Sequence, residues 1–465
     1  MAREQKRKAK KSGKGTESDR HVEVHLAPAV EVLHKHITEA VCAEVYHELR
    51  TTERERKWSL FALARFWLAV ILDPPPSLNQ QLERTRHLDP RGFLPAVDAS
   101  AEAFFQKCKV FKSDFFQEVY NRFIDAVLPE APRRYCGELS HLEKSFTAVV
   151  VMDGSRLDKI AHRLKILWSE KAAILPGCIL AVYDLFRGIA RQVRFDSDAA
   201  ASEFTRATEA IDSLDPGTLV LGDRLYCSIA LFRQLSERGC SGLFKRNKTV
   251  SIKKTRRLSR SKINGALLEE WLVEVGAEDP LELRLIRLKN GRSTYEALTN
   301  VMDTERLSAI DAVELYPLRW NVERLFYDLK VVLNLKRFYA ANPNAVAMQV
   351  YAAAMVHAAF RIAQAEIAKQ VDLPPEELSP AKLFPLLAIA SIKVIEAEYL
   401  FEETCKANPH IELRKPNWRN LPDTVVSLRH IRVQRRSSSR KKRRFHPERS
   451  KWKSIAKVKG AKRLT

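Results

Sequence analysis

The sequence predicts an α/β protein, and three stretches predict it. Phe146–Met152 and Thr218–Gly222 are short, almost wholly apolar and rich in β-branched residues, as expected of strands buried on both faces. Each is followed at once by an aspartate, Asp153 and Asp223. The third stretch, YPLRWNVERLFYDLK over residues 316–330, places Tyr316, Arg319, Glu323 and Lys330 at offsets of 0, 3, 7 and 14. On a continuous α-helix those side chains project at roughly 0°, −60°, −20° and −40°, within one narrow arc. Leu318, Val322, Leu325, Phe326 and Leu329 form a separate apolar stripe that can face a core.

The remaining elements follow in chain order. Residues 1–24 form a basic tail. Residues 25–138 are helical in pattern, broken at Pro74–Pro76 and Pro90–Gly92, and are expected to form a separate N-terminal domain. Residues 139–405 hold the strand ending at Asp153, two strands around Tyr183 and Val193, a helix, the strand ending at Asp223, a helix over Tyr226–Arg238 and the strand Leu243–Phe244. A β-rich insertion then spans about 248–300; its alternation is clearest in Leu281–Leu288. The Tyr316–Lys330 helix follows, and helices continue to about Lys406. Residues 406–430 are an extension and 431–465 a second basic tail.

Charge is concentrated rather than spread. Residues 431–465 carry 15 Lys/Arg against one acid and residues 1–20 carry eight against three, so the tails supply +19 of the net +22. Such runs engage polyanions without reading sequence. Within the body, Lys245–Lys262 holds nine Lys/Arg and no acid, among them Lys245, Arg246, Lys253, Lys254, Arg256 and Arg257. That run reads as one wall of a DNA groove, or as a charged edge strand that blocks aggregation. Seven cysteines lie scattered without a CxxC spacing, so neither a zinc site nor a disulfide framework is indicated. Trp58–Leu72 is too short to span a membrane and contains Arg65, and no signal peptide is visible.

Each acid has a plain reading. Arg319 and Glu323 could be an i,i+4 surface pair, Asp153–Gly154 a turn, Asp223 the cap of the next helix and Trp320 a core aromatic. The conjunction of two strand-end aspartates with a later glutamate flanked by cations points instead to a metal–phosphate site.

At these residues the chain resembles the DDE transposases of bacterial insertion sequences, in particular the subgroup marked by a Tyr–Arg–Glu–Lys signature, the insertion-sequence-four family. Tyr316, Arg319, Glu323 and Lys330 match that signature without a gap, Trp320 stands where relatives place a tryptophan, and the Asp153–Gly154 and Asp223–Tyr226 segments resemble the two aspartate blocks. The resemblance covers roughly residues 140–370. It implies a ribonuclease-H-like catalytic core and cut-and-paste transposition, with nicking of element ends and strand transfer to target DNA. Asp153, Asp223 and Glu323 would be the catalytic residues and the ligands of two Mg²⁺ ions, or of Mn²⁺. Tyr316, Arg319, Trp320, Lys330 and the basic run would contact DNA. The partners implied are the terminal inverted repeats and target DNA, with a homodimer in the DNA complex and no membrane, in a bacterial cytoplasm at the nucleoid. The alternatives are a ribonuclease-H-like nuclease without strand transfer and a DNA-binding protein derived from a transposase.

Overall fold

The computed structural model describes residues 22–27, 31–86, 92–157, 177–199, 201–276, 279–415, 417 and 421–433. Most of the two basic tails lies outside these residues.

Among the described residues two sheets form. The small one pairs β1 (Glu23–His25) with a C-terminal strand, Val425–Ser427, joining the two ends of the fold. The large one is built from β2 (Ala148–Arg156), β3 (Cys178–Asp184), β4 (Ile189–Asp196), β5 (Thr218–Gly222), β6 (Ser241–Lys245), β7 (Ile252–Ile263), β8 (Ala266–Val275), β9 (Leu281–Asn290) and β10 (Ser293–Thr299). Its nine strands run in the order β4-β3-β2-β5-β6-β10-β9-β8-β7. β2, β3 and β4 are an antiparallel meander, while β2–β5 and β5–β6 are parallel.

Alternation along the strands sets the two faces of the sheet. Val149, Val151, Ile179, Ala181, Leu219 and Leu221 enter one core. Ala148, Val150, Met152, Leu180, Val182 and Val220 enter the other, against Ala207, Leu231 and Phe232. Those last three belong to the helices Glu203–Ile211 and Ile229–Glu237, capped by Ser202 and Ser228. Both faces are therefore apolar, each buried Val or Leu contributing roughly 1.5–3 kcal/mol, which is why the strands read as continuous hydrophobic runs.

The first core is completed by helices from both ends of the chain. Pro343–Gln370 packs on Leu60–Leu72 and Ser113–Val127 from the N-terminal region, and on β4. It is long and apolar enough to cross a membrane, but 94% of its apolar window is buried inside the fold. Such burial is that of a core helix. The chain is still folded at its described C-terminal end, where Ile431 is fully buried and Arg432 pairs with Glu377 at 2.8 Å.

Three features depart from the sequence expectation. β2 does not end at Asp153: it runs on to Arg156, Asp153 pairing with Ala181 of β3. The β-rich segment is not an appendage, since β10 pairs with β6 and carries the large sheet outward to β7. An Asn264–Gly265 turn joins β7 to β8; φ is positive at both residues (49° and 81°), the geometry that favours this dipeptide. Finally, Tyr316–Lys330 is not one regular α-helix. It is a 3₁₀ turn at Tyr316–Trp320, an α-helix at Asn321–Tyr327 and a π-turn at Asp328–Val332. Pro317 lies in the 3₁₀ turn, and the Leu333 N–H reaches back five residues to the Asp328 carbonyl at 2.8 Å. The uniform 100° projection therefore does not hold across the segment.

Candidate active site

The two aspartates are brought together by register. The parallel β2–β5 ladder pairs Val149 with Leu219 and Val151 with Leu221. Asp153 lies two residues further along β2 and Asp223 directly follows β5, so the pairing that aligns the valines and leucines brings the acids to the same end of adjacent strands, near enough for Asp223 to raise the Asp153 carboxyl. Alternation also sends Asp153 to the face occupied by Val151, where the Asn321–Tyr327 helix packs on β2. Val322, Leu325 and Phe326 bury into the same core and anchor Glu323 there.

Arg319 is the hub of the site. Its Nη1 lies 3.5 Å from Asp153 Oδ2, and its side chain is only 10% exposed. Burial alone would lower its pKa; Tyr316, Asp153, Asp223 and Glu323 outweigh that effect and raise it. The guanidinium also sits 4.7 Å from the Trp320 ring and 5.9 Å from the Tyr316 ring. Arg319 thus has a partner on a neighbouring strand, which a simple i,i+4 surface pair would not provide.

Burial pushes the Asp153 carboxyl up to about 7, against the pull of Arg319 and with help from the nearby negative charge of Glu203 and Asp223. Asp223 accepts the Leu225 N–H at 2.6 Å and does not cap the following helix, a role taken by Ser228. Tyr316 is buried against Tyr295, with ring centroids 4.9 Å apart, and burial raises its phenol to about 12. Lys330 donates to Ser155 Oγ at 2.7 Å and to the Arg156 carbonyl at 2.5 Å. From within the π-turn it therefore clasps the end of the strand that carries Asp153.

Beside these groups opens a cavity of about 1140 Å³. Asp223, Tyr316, Arg319 and Trp320 line it; Arg134, Arg224, Lys245 and Arg324 add positive charge, and Glu138, Glu314, Asp372 and Glu376 add negative charge. Trp320 is half-buried at this wall, not a core aromatic. The other predicted DNA contacts lie elsewhere. Arg246 is held by Glu296 at 2.7 Å and Lys253 by Glu274 at 3.1 Å. Lys254 lies 4.4 Å from the Trp271 ring and Arg257 5.8 Å from it. Lys253, Lys254, Arg256 and Arg257 all stand on β7, the edge strand of the large sheet.

Asp153, Asp223 and Glu323 supply hard oxygen donors, the chemistry that Mg²⁺ and Mn²⁺ prefer. Among the described residues, however, no group of three His, Cys, Asp or Glu side chains is arranged to hold a metal ion. A cation entering beside Asp153 competes with the Arg319 guanidinium. Sequence reasoning missed Glu203, whose Oε1 accepts the Gly154 N–H at 3.1 Å and the Tyr226 hydroxyl at 2.5 Å. As the first residue of a helix after a Ser cap, it carried only the signal of an ordinary helix-start acid.

Comparison with known proteins finds transposases. Residues 176–358 match the family described as Transposase DDE domain, a span that includes Asp223 and Glu323 and begins after Asp153. A protein of Sinorhizobium fredii named as transposase y4zB is 24% identical over 193 residues, covering 38% of this chain and 54% of its own length. A Synechocystis protein named as the transposase of insertion sequence element IS4SA is 24% identical over 147 residues, 31% of this chain and 40% of its own length. The chain thus spans about half the length of these curated relatives. A piggyBac transposase in a synaptic complex with hairpin DNA aligns over 88% of both chains at 11% identity, with a TM-score of 0.40. The chain is thus similar, over its matched part, to transposases with a DDE domain.

Proposed function

We propose that this chain is the transposase of a bacterial insertion sequence of the Tyr–Arg–Glu–Lys subgroup, cutting element ends and joining them to target DNA. The observation that carries the reading is the placement of Asp153 on β2 and of Asp223 just past the end of the adjacent parallel strand β5, with the helix that bears Glu323 packed on β2. The sheet around them is read as a ribonuclease-H-like core. Asp153, Asp223 and Glu323 would hold the divalent metal, Mg²⁺ or Mn²⁺, which when bound activates the attacking hydroxyl and stabilises the leaving oxygen.

The other side chains act on the DNA. Arg319 meets a phosphate beside the acids as its hold on Asp153 is released. Arg134, Arg224, Lys245 and Arg324 draw the backbone along the cavity wall. Trp320 presents an aromatic face to a base displaced at the cut end. Lys330 keeps Ser155 and Arg156 in place, and so steadies Asp153 two residues away. The basic strand β7 provides a further backbone contact surface. Two copies acting on the two element ends, as a homodimer on DNA at the nucleoid, complete the reading.

The test uses duplexes carrying the inverted repeats that flank the coding region, incubated with the full chain and Mn²⁺. Nicked ends are expected, together with joined products from a pre-cut 3′ end. Both should be lost in Asp223→Asn. Cleavage that persists in single variants of all three acids overturns the assignment; nicking without joining points to a nuclease.

A further inference from the structure

Gly154 follows Asp153 directly, and Tyr226 lies three residues beyond Asp223. A single carboxylate oxygen, Glu203 Oε1, accepts from the Gly154 N–H at 3.1 Å and from the Tyr226 hydroxyl at 2.5 Å. The Gly154 N–H is shared with Oδ1 of Asp153 itself, at 3.0 Å. The two aspartate-bearing segments are therefore joined through one atom of a third element, the helix Glu203–Ile211.

The surroundings are shaped for this contact. That helix packs on the sheet face opposite the one carrying Arg319 and Glu323, so Glu203 approaches from behind the aspartates. A Cβ at position 154 would come within 2.5 Å of Glu203 Cδ, so the contact requires glycine there. Tyr226 is fully buried, its ring 6.3 Å from that of Phe244, which fixes the hydroxyl that meets Glu203. A helix-start acid serving only the helix dipole would not need to reach two other segments.

Resting on the metal-site reading given above, we propose that Glu203 is a positioning residue. Acting through Gly154 and Tyr226, it ties the segments of Asp153 and Asp223 to one another so that both can turn to an entering divalent cation, without itself being a ligand. A hydrogen-bonded carboxylate behind a ligating group orients that group, and its removal weakens metal binding by roughly 10–100-fold.

The test measures Mn²⁺ binding to the full chain without DNA, by electron paramagnetic resonance of the free ion, alongside thermal melts. Glu203→Ala and Tyr226→Phe should each weaken binding roughly tenfold or more. Glu203→Gln keeps an oxygen that accepts both hydrogen bonds and should stay within about threefold of wild type. Should Glu203→Ala not fold, Tyr226→Phe, which removes only a hydroxyl, carries the comparison. Unchanged binding in the folded Ala and Phe variants overturns the proposal. So does a Gln variant as weak as the Ala variant, which would make Glu203 a ligand. Asp153→Asn separates the two levels: if it binds Mn²⁺ as wild type does, the metal-site reading falls, and this proposal with it.

Discussion

Replacing Asp153 by Asn should change how the stability of the protein depends on pH. The Asp153 carboxyl rises from 3.8 to about 7 on folding, chiefly through burial. The folded state thus accommodates the neutral acid better than the anion. The stabilising contribution of this group is intact below 3.8 and is lost as pH rises through about 7. A displacement of roughly three pH units corresponds to about 4 kcal/mol at ~1.4 kcal/mol per unit. The side chain is 17% exposed, and relaxation with residual solvation reduces the figure to about 1–3 kcal/mol. Roughly two-thirds of that change falls between pH 5 and pH 8.

Asparagine has the same shape and does not titrate, so the variant escapes this penalty. Melting curves in EDTA at constant ionic strength should show a variant slightly more stable than wild type at pH 5. The gap should widen by about 1–2 °C by pH 8, at roughly 1 °C per kcal/mol for a chain of this length. Adding Mn²⁺ at pH 8 should raise the melting temperature of wild type and leave Asp153→Asn nearly unmoved, because only a bound cation compensates the buried anion. Parallel pH profiles for the two proteins would refute the burial argument. A wild type that gains on the variant as pH rises would show that Arg319 more than offsets the desolvation of Asp153.

Three further outcomes are expected. Glu323→Gln should lower cleavage by roughly 100-fold or more while duplex binding in mobility shifts stays within about threefold, since the change removes a metal ligand but no phosphate-contacting cation; equal loss of both would make Glu323 structural. Trimming to residues 22–433 removes most of the +19 in the tails and should weaken non-specific duplex binding, with the log–log salt slope shallower by roughly 0.9 for each phosphate no longer neutralised. The preference of the trimmed protein for element ends over random duplex should survive, and its loss would show that the tails read sequence. Joint replacement of Lys254 and Arg257 by Gln should reduce that slope by roughly two if β7 lies on DNA, whereas an unchanged slope would leave the strand as a charged edge alone.

The sequence showed some of this fold clearly and hid the rest for identifiable reasons. Strands buried on both faces are legible because sandwiching between two cores leaves nothing but apolar residues, as in Val149–Met152 and Leu219–Leu221. The pairing of β10 with β6 was not legible: alternation identifies a strand but not its neighbour, and the long segment between Lys245 and Ser293 could equally have folded back on itself. Tyr316–Lys330 was recognisable as a site but not as a 3₁₀–α–π sequence. Local spacing cannot show that buried Asp328 lies 3.6 Å from His357, a contact that comes from a helix packed later in the chain. Glu203 was invisible because the residues it joins are 49 positions before it and 23 after it.

These relations explain why the site is organised around Arg319 rather than around the acids alone. Two carboxylates at the same end of adjacent strands, with a third on the helix above, repel one another in a partly buried setting. Once Asp153 ionises, a positive charge relieves that repulsion, and Arg319 supplies it from the 3₁₀ turn immediately before the Glu323 helix. A guanidinium suits this task because it remains charged when buried, and its planar face can rest on Trp320 and Tyr316. It is also exchangeable: the 3.5 Å contact with Asp153 is loose, and the neighbouring cavity offers a phosphate-sized anion a place beside it. On the proposed reading, the cation that relieves the acidic cluster becomes the one that binds DNA once a metal takes over the acids. Arg319→Lys separates these roles. The ammonium keeps the charge that supports folding but lacks the planar fork, so the melting temperature should fall by only about 2–4 °C while cleavage drops by roughly tenfold or more. A variant that unfolds yet, when folded, cuts normally would show that Arg319 serves stability alone.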